Sequence, residues 1–171
     1  MGKTALVCAV ISALREMGWT AVKIAGHDYV ASDEPGEIAG AGFREEERAS
    51  EETDTGRYLL AGAKRALLVT RVGDEVPIAE IRCAVGVDRN VIFESNRIVD
   101  VVTPDVCIAL VGGDQRKASF ERLLRVADAV VMRRGEDGKV SPKGVRRFEL
   151  EGTDQLPEEM VGWMRERLSF R

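Results

Sequence analysis

The chain has 171 residues, 44% of them hydrophobic and 32% charged, with a formal net charge of −4. That is the make-up of a folded globular protein of one domain's size, and its interspersed, mildly acidic charge argues against nucleic acid or an anionic membrane surface as partner. No apolar run approaches the roughly 18 residues of a membrane-spanning helix, and the first residues do not read as a signal peptide, so a cytoplasmic protein is expected. Cys8, Cys83 and Cys107 each lie in an apolar run without metal-ligand spacing and read as buried, reduced thiols.

Met1-Gly2-Lys3-Thr4 comes first, and it matches the end of a phosphate-binding loop, whose pattern is Gly, four free positions, then Gly-Lys-Ser/Thr. In such a loop backbone N–H groups and the start of the next helix surround nucleotide phosphates. Gly2 lets the backbone approach, Lys3 reaches the terminal phosphates, and the Thr4 hydroxyl holds Mg²⁺. The plain alternative is a solvated helix N-terminus. Because the sequence opens inside the pattern, two expectations stand side by side. Either the native start lies upstream and completes the loop with its strand, or the loop is degenerate and holds nucleotide poorly. Residues 5–17 continue as a helix, with Leu6, Val7, Val10, Ile11 and Leu14 on one side and Gly18 as its stop.

Residues 20–25 read as a strand, followed by Gly26-His27-Asp28-Tyr29. His27 is placed to orient phosphate or to act as an acid or base near neutral pH, and Asp28 to position Mg²⁺ or water; structural roles are the alternative for both. Residues 31–53 are polar, Gly-rich and charged, and read as a long mobile loop, with Glu45 to Glu52 as a solvated face. Residues 54–63 form a helix that Asp54 caps, with Arg57 as a phosphate or partner contact. A buried strand at 66–70 and a helix at 77–85, opened by Pro77, come next.

Residues 90–94 form a strand that ends on an acid. An apolar run closed by a carboxylate is the second nucleotide-binding signature, which makes Glu94 both the metal ligand beside Thr4 and the catalytic candidate. A solvent-facing strand-end acid is the alternative. Residues 106–111 are the most hydrophobic strand and close on Gly112-Gly113-Asp114, read as a strand-to-helix turn. A helix at 119–126 and a strand at 129–132 lead to a polar connection at 133–145, read as a hairpin with Arg133 and Arg134 at the surface. Residues 146–150 make an edge strand. Residues 156–168 make an amphipathic helix with Met160, Val161, Trp163, Met164 and Leu168 inward.

Alternating strands and helices, with strands apolar on both faces, predict an α/β fold with a mostly parallel central sheet in three layers, over a single domain. The polar candidates then gather beyond the carboxyl ends of the strands, where such sheets bind ligands.

Gly2-Lys3-Thr4, Val22-Lys23-Ile24, and Asp54-Thr55-Gly56-Arg57-Tyr58 running into Ala61-Gly62-Ala63 occur in the order of a known family. Over roughly its first 95 residues the chain resembles the nucleotide-binding protein B family of molybdopterin-guanine dinucleotide biosynthesis. The resemblance implies a P-loop NTPase fold, GTP with Mg²⁺, weak hydrolysis, a homodimer, and a molybdenum-cofactor biosynthesis enzyme as partner. It implies Gly2, Lys3 and Thr4 as phosphate and Mg²⁺ ligands and Glu94 as the strand-end acid. The chain has Glu94-Ser95-Asn96 where that family tends to Glu-Gly. It has Met132-Arg133-Arg134-Gly135 where guanine-binding proteins often present Asn-Lys-x-Asp, which leaves the base open between guanine and adenine. The expected function is binding of GTP or ATP with Mg²⁺ and weak or no hydrolysis. A non-hydrolysing interaction module and a small-molecule kinase or ligase on the same fold are the alternatives.

Overall fold

Seven strands and five α-helices form among the described residues of the chain. In order they are α1 (Lys3–Ala13), β1 (Thr20–Ala25), β2 (Gly42–Glu45), α2 (Asp54–Ala61), β3 (Arg65–Thr70) and α3 (Ile78–Val85). Then come β4 (Val91–Glu94), β5 (Ile108–Val111), α4 (Ala118–Val126), β6 (Ala129–Arg133), β7 (Arg146–Leu150) and α5 (Glu158–Ser169). A computed structural model describes residues 2–25, 42–70, 75–112, 118–134, 144–150 and 155–169. Four of the five strand pairings are parallel, so the protein is α/β with mostly parallel sheet. The chain divides into two compact units, 15–95 on the one hand and 1–14 with 96–171 on the other.

In the unit of residues 15–95 the strand order is β2-β3-β1-β4. β1 lies inside the sheet, and Ala21, Val22, Ile24 and Ala25 are all buried, as a parallel strand covered on both faces requires. β2 is a correction to the long loop expected at 31–53, of which 31–41 lie outside the described residues. It pairs antiparallel to β3 through Gly42 to Glu45, with Phe43, Arg44 and Glu45 exposed. A solvated edge strand is held by its backbone ladder and needs no apolar alternation, so it leaves no periodic trace. Glu45 is not merely solvated either. It accepts from Arg65 Nε at 2.7 Å, and Asp88 accepts from Arg65 Nη1 at 2.6 Å, which ties the start of β3 to two neighbours.

The other unit contains α1 and the sheet β5-β6-β7, in which both pairings are parallel. Ala129, Val130, Val131 and Met132 of the central β6 are all buried. Phe120, Leu123 and Leu124 of α4, with Ala127 just beyond it, join Cys107, Ala109, Val111, Val130 and Met132 in one core. Spacing of three and four residues puts those α4 side chains on one helix face. Parallel pairing of β6 with β7 overturns the hairpin expected at 133–145. Two residues can join antiparallel neighbours, but parallel ones need a crossover. α5 buries Met160, Trp163 and Met164, and Arg165 donates to the Ala13 carbonyl at the end of α1 at 3.4 Å. α1 itself stops at Ala13, and a 3-10 turn at Arg15–Met17 completes the run to Gly18.

None of the three cysteines is in a disulfide, and they are not uniformly buried. Cys107 is buried, Cys8 half-buried, and Cys83 exposed on α3, which corrects the expectation of three inner thiols. Burial, helped by the charge of Asp128, pushes the Cys107 thiol up to about 11. Among the described residues no helix is long and apolar enough to cross a membrane.

Candidate functional site

Lys23 and Glu94 are register partners on adjacent parallel strands, so their side chains leave the sheet on the same face. α2 brings Asp54 and Tyr58, four residues apart and therefore on one face of that helix. The four meet. Lys23 Nζ donates to Glu94 Oε1 at 2.9 Å and also to Asp54 Oδ2, while the Tyr58 hydroxyl donates to Glu94 Oε2. The Glu94 side chain is 6% exposed, Lys23 21% and Asp54 39%, so the cluster opens outward from Glu94 towards Asp54. Tyr58 is fully buried. Burial opposes the charge on Lys23, but its hydrogen bonds to Asp54 and Glu94 outweigh that and hold its pKa above the ordinary lysine value. Lys23 is therefore an ammonium at any physiological pH.

Asp54 does not cap α2, contrary to the sequence expectation. Thr53 does, with an extended backbone and a side-chain oxygen that accepts from Gly56 N at 2.9 Å. Asp54 already has helical geometry, which frees its carboxylate for Lys23. Thr53 and Thr55 both donate to Glu46 Oε2, at 2.9 and 2.8 Å, and these hydroxyls hold the Glu46 carboxyl below the usual range. Glu46 thus belongs to the helix start and not to a solvated face. Arg57 pairs with Glu51 at 3.5 Å and Asp54 at 3.9 Å.

Gly56 lets this start close up. A Cβ there would stand 2.7 Å from Ser50 Oγ, 2.8 Å from the Ser50 carbonyl oxygen and 2.8 Å from Thr53 Oγ1. Helix propensity alone makes Gly→Ala favourable by about 1 kcal/mol. Overpacking against a backbone oxygen costs roughly 1–3 kcal/mol and disturbs the cap as well. Gly56→Ala is therefore expected to lower stability, read as a lower urea midpoint. A raised midpoint would show that propensity wins and that the contact with Ser50 is loose.

At the start of α1, Gly2 is extended and exposed, Lys3 is exposed and Thr4 half-buried. The first turn holds no acid, and Gly2, as the N-cap residue, has no side chain of its own to cap the helix. These three residues belong to the unit that contains β5 to β7, whereas Arg57 and Glu94 belong to the other. His27 and Asp28, Gly113 and Asp114 lie outside the described residues. Of the sequence candidates among the described residues, only Glu94 sits in the charged cluster, with Arg57 at its margin. Sequence reasoning misses Lys23 and Tyr58 as site residues. A signal for Lys23 exists, since a lysine inside a strand apolar on both faces needs a partner. Tyr58 gives no such sign.

The α1 start suits an anion, because a helix N-terminus and a lysine both favour negative charge. Glu94 does not suit a directly bound Mg²⁺. Each of its carboxylate oxygens already accepts a hydrogen bond, and an ammonium stands against Oε1. Nor do three His, Cys, Asp or Glu side chains gather among the described residues. No step through a metal on Glu94 follows from this arrangement.

Set against known proteins, the chain matches no family model, no curated protein and no solved structure.

Proposed function

We propose that the chain is a nucleotide-binding protein of the P-loop kind, a single three-layer α/β domain similar to the protein B family of molybdopterin-guanine dinucleotide biosynthesis. It takes GTP or ATP with Mg²⁺ and hydrolyses it weakly or not at all. The observation that supports this is the opening of α1. An extended Gly2 leads into a helix of 11 residues whose first turn carries Lys3 and Thr4 and no acid. The helix amides orient the phosphates, and Lys3 gives its terminal oxygens a charge-assisted hydrogen bond. Thr4 is the residue to hold Mg²⁺, which when bound offsets phosphate charge. Both carboxylate oxygens of Glu94 are engaged, by Lys23 and Tyr58. Partnership with a molybdenum-cofactor enzyme and homodimerisation belong to the same proposal.

Calorimetry with GTP, ATP and their diphosphates tests the reading. Loss of one charge-assisted bond of about 1.5–3 kcal/mol predicts that Lys3→Ala weakens nucleotide binding roughly 10- to 100-fold. Equal affinity in the variant would remove Lys3 from the site and the proposal with it. Engagement of Glu94 also favours a second reading, a non-hydrolysing interaction module. That protein would bind no nucleotide, and Lys3→Ala would leave it unchanged.

A further inference from the structure

We propose that Lys23 is the built-in counter-cation of Glu94: its ammonium occupies the position at the strand-end acid that a divalent metal would take. Three observations converge on that point. Glu94 Oε1 and Asp54 Oδ2 both accept from Lys23 Nζ, so two carboxylates from different elements close on one cation. Oxygen donors converging on a single point are also what a hard divalent ion asks for. The other oxygen of Glu94 is held by the fully buried Tyr58, which fixes the carboxylate in place. The raised pKa of Lys23 keeps the position charged. The site is thus metal-independent by construction, and Lys23 positions Glu94 and Asp54.

This assignment does not depend on nucleotide binding, so the metal alone tests it. Thermal unfolding is followed by circular dichroism in EDTA and in millimolar Mn²⁺ or Mg²⁺. The wild-type midpoint is expected to ignore the metal. Lys23→Ala bares the two carboxylates, lowers the midpoint in EDTA, and regains roughly 3–6 °C with Mn²⁺ because the metal binds only the folded form. Adding Glu94→Gln to Lys23→Ala should abolish the regain. A folded Lys23→Ala protein indifferent to Mn²⁺ would overturn the proposal. So would a metal-induced rise in the wild type that Glu94→Gln removes. If Lys23→Ala does not fold, the comparison of wild type with Glu94→Gln decides alone, and equal indifference to metal in both supports it.

Discussion

Glu94→Ala is expected to cost about 3–5 kcal/mol of stability, the range for removing one partner of a buried ion pair. Three consequences add in one direction. Lys23, half-buried between two carboxylates, keeps only Asp54 of the pair. The hydroxyl of Tyr58, on a fully buried ring, loses Glu94 as acceptor. And α2 loses the hydrogen bond by which Tyr58 ties it to β4. Glu94→Gln separates charge from shape. Its amide oxygen still accepts one of the two bonds, so a smaller loss of about 1–3 kcal/mol is expected. Urea unfolding followed by circular dichroism reads both. A cost below about 1 kcal/mol for the alanine would mean that the cluster is a surface-like pair.

Strands and helices that carry strong apolar patterns are legible in the order of the amino acids alone. β1, β3, β6 and α4 are cases in point, because burial on one or both faces is written directly into that order. β2 is not legible, since an edge strand of Gly42-Phe43-Arg44-Glu45 rests on backbone pairing alone. The parallel pairing of β6 with β7 is hidden too: Gly and Pro between two short strands suggest a turn, and only the pairing direction shows that the chain crosses over. At the site, the acid ending β4 is visible as an acid, but its partners are not. Lys23 is separated from Asp54 by 31 positions and from Glu94 by 71, and local spacing says nothing about such pairs. Asp54 reads as a cap because Asp is a common capping residue. Thr53 stands one position earlier with the same chemistry, and backbone geometry chooses between them.

Trp163→Ala is the second large effect, and it falls in the unit that holds α1. Trp163 is 7% exposed in α5 and meets the ring of Phe148 on β7, with centroids 5.4 Å apart and planes tilted by 48°. Truncating a buried tryptophan costs about 3–5 kcal/mol through lost transfer and the cavity left behind. The tilted aromatic pair contributes about 0.5–1.5 kcal/mol of that. The Arg167 guanidinium, 5.9 Å from the Trp163 ring, adds less because it is half exposed. Trp163→Phe keeps an aromatic partner for Phe148 and should lose much less than Trp163→Ala. The consequence reaches the proposed phosphate site, because Arg165 on the same helix donates to the carboxyl end of α1. Loosening α5 loosens the helix whose first turn carries Lys3 and Thr4. If nucleotide binds there, Trp163→Ala should weaken it even at temperatures where the protein stays folded, while Trp163→Phe should not. Circular dichroism and calorimetry on the two variants separate these effects. A stability loss with unchanged affinity would place the nucleotide, if any, away from α1.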